Sequence, residues 1–286
     1  MTGRSRRRPD DHAAQSRREQ ALATRASVPR TASQRRRTLS QNHLRDPAAI
    51  MAYLDAVGPH DIPAIEIGAG DGALTVGLAR LVPRLTAVEL DPARARRLRE
   101  RVRAMTQVEV VEQDVLTLAS RAEPFALVGN IPFAITSRIV DWAMTSPTLE
   151  LTCLITQREY ARKRTGDYGR WSLNTVRSWP WWSWTLGPRI RRTSFRPVPA
   201  VDAAVLTIAR RPEALVPARA EARWRALVDV GFSGVGGSLH ASLSTPRHPR
   251  KHVSAAFDAA GVAHDTVVGY VTPDEWLAIF GRLSRR

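Results

Sequence analysis

Asn130-Ile131-Pro132-Phe133 sets an amide, a rigid proline and an aromatic ring directly after the apolar run Phe125-Ala126-Leu127-Val128-Gly129. A short apolar run of that kind reads as a strand. The four residues therefore stand at the mouth of a sheet. The exocyclic amine of a nucleobase is a poor nucleophile, because its lone pair is delocalised into the ring. Acceptors on its two N–H groups draw that pair back onto nitrogen. A flat side chain stacked on the base holds it in line with a methyl donor. Amide, proline and ring together are parts suited to methylating such an amine.

Three other positions point to a nucleoside ligand. Glu66-Ile67-Gly68-Ala69-Gly70-Asp71-Gly72 lies where a strand turns into a helix. Its glycines allow turn conformations closed to other residues and a close approach of backbone to ligand. Gly68, Gly70 and Ala73 satisfy a loose dinucleotide fingerprint, which is weak alone. Glu89 ends the next strand, and a carboxylate there can bind two ribose hydroxyls. Asp114 ends the third strand and can accept from an adenine amino group. These three strand ends do not separate NAD from S-adenosylmethionine. The fourth does: a dehydrogenase has no use for Asn-Ile-Pro-Phe, and nothing supplies a hydride-transfer acid or base.

The elements that must hold these residues follow from periodicity. Strands are expected at 64–67, 85–90, 108–111, 125–128 and 149–156. Helices are expected from Asp46-Pro47, over Leu74 to Leu81, from Asp91-Pro92, over Ile135–Met144 and over Arg158–Arg164. An acidic cap followed by proline starts a helix well. Alternating strands and helices imply an α/β fold, a Rossmann-like sheet of parallel strands covered on both faces. Trp182, Trp184 and Leu186, then 201–208, read as an antiparallel edge pair, with Trp179, Trp181, Trp182 and Trp184 packed rather than stacking bases. After Arg210-Arg211-Pro212 the pattern is helical: 220–232, a Gly/Ser/Pro-rich basic stretch 233–252, then 253–260 and 273–283. The expected division is an Arg-rich arm over 1–37, a catalytic domain over 38–211 and a small helical, RNA-binding domain over 212–286.

A net charge of +16 points to a polyanionic partner. The arm is too poor in large apolar side chains to fold alone; it reads either as a solvated tail that aids solubility or as an arm whose phosphate contacts give affinity without sequence choice. Arg138, Arg158, Arg162, Lys163 and Arg164 are further candidates for RNA contact. No apolar run approaches a membrane span, and no secretory signal follows the basic N-terminus. The lone Cys153 excludes an internal disulfide and a Cys-cluster zinc site; it is expected to be an inert core residue. A cytoplasmic, monomeric protein is the expectation.

The chain resembles the rRNA adenine N6-methyltransferase family, and within it the Erm macrolide-resistance methyltransferases. The matching pieces, in family order, are Ser40-Gln41-Asn42-His43-Leu44, 66–75, Val88-Glu89-Leu90-Asp91, Gln113-Asp114-Val115-Leu116, 129–136 and Phe195-Arg196-Pro197-Val198-Pro199-Ala200-Val201. The resemblance implies S-adenosylmethionine as cofactor and no metal. It implies that Asn42 and Leu44 meet or close over the methionine part, with Gly68 and Gly70 beside it. Glu89 with Leu90 would hold the ribose, and Asp114 with Val115 the adenine. Asn130 and the Ile131 carbonyl would accept from the target amine next to the cofactor, and Phe133 would stack on the flipped adenine. The implied partner is 23S ribosomal RNA, naked or precursor. Two residues depart from the pattern. His43 stands where many members carry phenylalanine, and Phe133 where others have tyrosine. Asn-Ile-Pro-Phe and Gly231-Phe232-Ser233-Gly234 lean toward the resistance enzymes rather than the small-subunit dimethyltransferases. DNA adenine methyltransferases read Asn/Asp-Pro-Pro-Tyr/Phe, which Ile131 breaks. A non-catalytic nucleic-acid-binding protein on the same fold is opposed by the joint retention of Glu89, Asp114 and Asn130.

Overall fold

Asp46 and Asp91 begin helices as their sequence context predicts. In the computed structural model, which describes residues 42–119 and 121–284, Asp46 Oδ1 accepts from the Ala48 N–H at 3.1 Å. Asp91 Oδ1 accepts from the N–H groups of Ala93 and Arg94 at 2.9 and 3.1 Å. Each aspartate satisfies amide donors that a helix start leaves orphaned, and the proline behind it lacks the N–H that would have been orphaned too. The arm over 1–37 lies outside the described residues.

The chain runs β1 (His43–Leu44), α1 (Pro47–Val57), β2 (Ala64–Ile67), α2 (Thr75–Leu78), β3 (Leu85–Glu89), α3 (Pro92–Arg101), β4 (Val108–Glu112), β5 (Phe125–Asn130), α4 (Thr136–Met144), β6 (Leu149–Gln157) and α5 (Arg158–Arg164). It continues α6 (Leu173–Ser178), β7 (Trp182–Ile190), β8 (Phe195–Arg196), β9 (Ala203–Arg210), α7 (Glu221–Gly231), α8 (Leu239–Leu243), α9 (Arg250–Ala260) and α10 (Pro273–Leu283). Seven strands form one sheet in the order β4-β3-β2-β5-β6-β9-β7. The first five are parallel, and β9 runs antiparallel to both β6 and β7. The predicted antiparallel edge is therefore present.

Strand order reverses direction between β3 and β5, on either side of β2. That topological switch opens a crevice at the carboxyl ends of the strands, where α/β proteins bind ligands. The strands beside it are buried on both faces. Val128 and Ala126 pack with Tyr53, Val57 and Leu78, while Leu127 and Phe125 pack with Ile139, Val140 and Trp184 from the other side. Trp182 and Trp184 are core residues, and Trp179 and Trp181 pack against the same cluster. Cys153 is buried, and burial pushes its thiol up to about 11, so it is inert at neutral pH. Among the described residues no helix is long and apolar enough to cross a membrane.

The C-terminal helices enclose a separate apolar cluster around Trp224, Phe257 and Trp276. Trp224 meets Phe280 edge-to-face at 5.3 Å. Val176 of α6 belongs to that cluster, so the sheet half of the chain contributes to its packing. The Gly/Ser/Pro-rich stretch contains α8, which its composition hid. The expected helix over Leu74 to Leu81 shortens to α2, flanked by turns.

Two local devices fix the tip of β5. Gly129 has φ +133°, and a Cβ there would sit 2.6 Å from the Ile67 carbonyl oxygen. Only glycine lets β5 approach β2 this closely. The wholly buried Tyr53 hydroxyl accepts from the Gly129 N–H at 2.6 Å and donates to the Cys153 carbonyl at 2.9 Å. It braces α1 against β5 and β6 one residue before Asn130. Tyr53→Phe leaves a buried N–H and C=O short of a partner, which costs about 1–3 kcal/mol. The melting temperature should fall by roughly 3–10 °C; a melt that matches the native protein would show that this hydroxyl braces nothing.

Candidate active site

Three segments far apart in sequence meet at the tip of β5. β1 pairs antiparallel with β8, setting His43 opposite Arg196 and Leu44 opposite Phe195. The Arg45 and Asp46 N–H groups donate to the Ser194 carbonyl at 2.9 and 3.3 Å, and the Ser194 hydroxyl donates to Asp46 at 2.8 Å. The two sequence pieces around residues 42–44 and 195–201 are thus one structural unit. That unit holds the strand tip: the Asn130 Nδ2 donates to the Asn42 carbonyl at 2.7 Å.

This bond decides how the carboxamide points. An amide has a donor end and an acceptor end. With Nδ2 committed to Asn42, Oδ1 is the end left for another partner. Asn130 lines a small cavity of about 30 Å³ with His43, Leu44, Ala69, Asp71 and Leu74. Strand tip and glycine turn therefore share one space. Ile131 is buried in the core, which anchors the peptide whose carbonyl follows the strand. Phe133 sits in a 3₁₀ turn over 133–135, half-buried against the cluster that includes Leu44 and Phe195.

The glycine turn is tied to the second strand end. Gly70 adopts φ +58°, and its N–H donates to Glu89 Oε2 at 2.8 Å. Glu89 Oε1 accepts from the Asp91 N–H at 2.9 Å. Glu89 is buried, so its orientation is set by these two amides, and each oxygen keeps a lone pair for a hydroxyl. Leu90 beside it is exposed. Asp114 is exposed past the end of β4 and accepts from the Leu116 N–H at 3.0 Å, starting a 3₁₀ turn that buries Val115. The expected cofactor residues thus occupy consecutive strand ends around one crevice.

The basic candidates stand elsewhere on the surface. Arg138 is exposed on α4, and Lys163 is exposed on α5. Arg158 is half-buried at the start of α5. Arg162 is ion-paired with Asp167 and lies 3.9 Å over the Tyr168 ring. Arg164 donates to the Ser172 hydroxyl at 3.1 Å. None of the five is among the residues lining the strand-tip cavity. A larger cleft, of about 610 Å³, lies among the C-terminal helices between Arg223, Arg247 and Phe280; it contains none of the strand-end residues.

One site residue was missed in the sequence. Glu66 begins the matched glycine piece, yet its role shows only in three dimensions. It is buried, and its Oε2 has no hydrogen-bond partner among the described residues. Burial pushes its carboxyl up to about 7; the Thr75 hydroxyl, near it but short of a well-formed hydrogen bond, pulls the other way, and Glu89 adds to the rise. A buried acid with an unpartnered oxygen at a ligand crevice has the chemistry to meet a cationic or hydroxylic group. The glycine turn and the strand-end acids carry acceptors suited to a nucleoside cofactor, while the cavity beside Asn130 has room for no more than about one water.

A family model for ribosomal RNA adenine dimethylase matches residues 32–285. An rRNA adenine N-6-methyltransferase of Saccharopolyspora erythraea is 44% identical over 252 residues, covering 88% of this chain and 66% of that protein. The chain thus spans slightly under two thirds of that relative. An rRNA adenine N-6-methyltransferase of Aeromicrobium erythreum is 48% identical over 252 residues, covering 87% of this chain and 74% of that protein. The solved structure of 23S rRNA methyltransferase ErmE superposes with a TM-score of 0.82 at 44% identity, covering 85% of this chain and 100% of that one.

Glu66 yields a pH test. Its folded value, about 7, lies above the ordinary value of 4.5. The stability tied to its protonated form is fully present below 4.5 and is lost as pH rises through 7. In the ligand-free protein, Glu66→Gln should therefore gain stability relative to the native chain between about pH 5 and pH 8, by up to about 3 kcal/mol. Urea unfolding at the two pH values measures this. An equal difference at both would mean that Glu66 does not titrate as a buried acid.

Proposed function

This chain belongs to the ribosomal RNA adenine dimethylase family, and on that premise we propose that it transfers methyl from S-adenosylmethionine to N6 of one adenine in 23S rRNA. The modified base would block macrolide, lincosamide and streptogramin B binding to the ribosome. The likeness to ErmE supports the 23S target. The observation that carries the chemistry is the committed Asn130 amide: Nδ2 is held by Asn42, Oδ1 is left for another partner, and the residue lines a cavity shared with the glycine turn.

When bound, S-adenosylmethionine supplies an electrophilic methyl on sulfur. The residues of this chain do the rest. Glu89 accepts from the ribose hydroxyls while the Gly70 and Asp91 amides hold it still. Asp114 accepts from the adenine amino group of the cofactor. Asn42, Leu44 and Gly68 would hold the methionine end, and Leu90 and Val115 the nucleoside. Asn130 Oδ1 and the Ile131 carbonyl accept from the two N–H groups of the target amine and localise its lone pair. Phe133 stacks on the extruded base, which returns roughly 1–3 kcal/mol against the cost of unstacking. No metal is needed, since the methyl donor is already activated. The protein is expected to act in the cytoplasm, as a monomer on naked or precursor RNA, with exposed Arg138 and Lys163 among its phosphate contacts.

Tritiated methyl transfer to separated 23S and 16S RNA, with mapping of the modified base, tests this reading. Label in a single 23S adenine is expected; label in 16S RNA alone would reassign the enzyme to the small subunit. Asn130→Ala should lower turnover by about 10²–10³ while S-adenosylhomocysteine affinity changes far less. Near-normal turnover would remove Asn130 from the mechanism. In the Arg138→Ala/Lys163→Ala double variant, the log–log salt slope of RNA binding should become shallower by roughly 0.7–0.9 for each phosphate no longer neutralised. An unchanged slope would clear both side chains of a role at the phosphates.

A further inference from the structure

His43 lines the strand-tip cavity, and the proposed chemistry leaves it unused. Its ring packs on the glycine turn: a Cβ built on Gly70 would lie 3.4 Å from its Nδ1. It lines the same cavity as Asn130, Ala69 and Asp71. Its Nε2 is shut off from solvent and has no hydrogen-bond partner among the described residues. A buried polar atom in that state calls for a partner, and native proteins seldom leave one without. No described protein group serves, so a ligand group that enters beside the glycine turn, and that a turn of the ring brings to this nitrogen, is the partner to consider.

The charges around the ring indicate which part of that molecule. Arg45 follows on from the strand, and Arg94 and Arg101 reach in from α3. The acid facing the ring is Asp71, and it is already engaged: Arg97 holds it at 3.0 Å and Arg45 lies 3.7 Å from it. Glu89, bonded to the N–H of the Gly70 on which the ring packs, is a second acid nearby; Arg45, Arg94 and Arg101 outnumber the two, and the local field complements an anion. An S-adenosyl cofactor has one anionic group, the carboxylate of its amino-acid end. A phenylalanine at this position would offer no such donor.

We propose that His43 grips that carboxylate through the imidazole nitrogen otherwise left unpaired, so that this chain holds its cofactor by a contact a phenylalanine cannot make. The proposal rests on the methyltransferase reading. Burial holds the free imidazole below its ordinary value, and Arg94 and Arg45 push the same way against Asp71. The ring is therefore neutral at pH 7 before the ligand arrives. An anion beside it favours the imidazolium and raises its pKa. Binding then takes up a proton, and affinity grows as pH falls.

Calorimetric titration of the full chain with S-adenosylhomocysteine, from about pH 8 to pH 6, reads this directly. His43→Phe and His43→Gln serve as partners, because subtracting a variant's profile removes the ligand's own titration. The native chain should gain on His43→Phe as pH falls, reaching roughly tenfold at pH 6. His43→Gln, which keeps a donor but cannot ionise, should stay near native at high pH and show no gain at low pH. The ¹⁵N shifts of His43 should report a pKa that rises when S-adenosylhomocysteine is added. Equal affinity and equal pH profile in the native chain and His43→Phe would overturn the proposal, as would a ring pKa that the ligand leaves in place. If the native chain binds no S-adenosylhomocysteine, the methyltransferase reading falls, and this inference with it.

Discussion

A single 2.7 Å hydrogen bond, from the Asn130 carboxamide to the Asn42 carbonyl, decides what the strand tip can do. A free asparagine amide could rotate and offer either end. Here the donor end is engaged by main chain, and the acceptor end is left for another partner. An amine needs an acceptor to become a nucleophile, so the orientation matters as much as the residue type. The bond needs Asn42 held in place, and that in turn needs the β1–β8 pair and the Asp46–Ser194 contacts behind it. It also needs the β5 tip to be rigid, which Gly129 and the Tyr53 hydroxyl secure. Catalytic precision thus depends on apolar and main-chain packing several residues away from the chemistry.

The electrostatics of the crevice follow from unequal treatment of two buried acids. Glu89 has a backbone N–H on each oxygen and so is held by donors that cannot move away. Glu66, equally buried, has an unpartnered oxygen, and burial drives it toward neutrality near pH 7. Two carboxylates side by side with different supporting donors can serve as one fixed acceptor and one adjustable group. An unpaired buried acid costs stability above neutral pH. Its persistence is understandable if a ligand contact offsets that cost when the site is filled.

Most of this architecture could be read from local sequence. Asp-Pro caps, glycine turns and β-rich apolar runs act over a few residues, so helices such as Arg158–Arg164 and Pro273–Leu283 have the predicted ends. The strand-end acids and Asn130 were legible for the same reason, since each follows directly on an apolar run. What stayed hidden is non-local. β1 is two residues long and exists only because β8 lies beside it. Tyr53 looked like one more residue of an amphipathic helix, and only the fold shows its hydroxyl reaching Gly129. α8 lies in a stretch whose glycine and proline content signals loop. Glu66 and His43 sat inside recognised pieces, yet no local rule distinguishes a paired buried side chain from an orphaned one.

Net charge has a different status from the site. A charge of +16 brings a polyanion close, but it does not select an adenine. The guanidinium groups of α5 show why a tally of charges overstates RNA binding. Arg162 shares its charge with Asp167 and stacks on Tyr168, and Arg164 is tied to Ser172 and lies 5.0 Å over Tyr160. Such groups are ordered before RNA arrives, and a charge already shared releases fewer counterions on binding. Exposed Lys163, on the same helix, keeps its full charge for a phosphate. Attraction therefore comes from the dispersed, exposed cations. On the proposed chemistry, choice of base comes from the β5 tip, where one amide, one carbonyl and one ring stand within four residues.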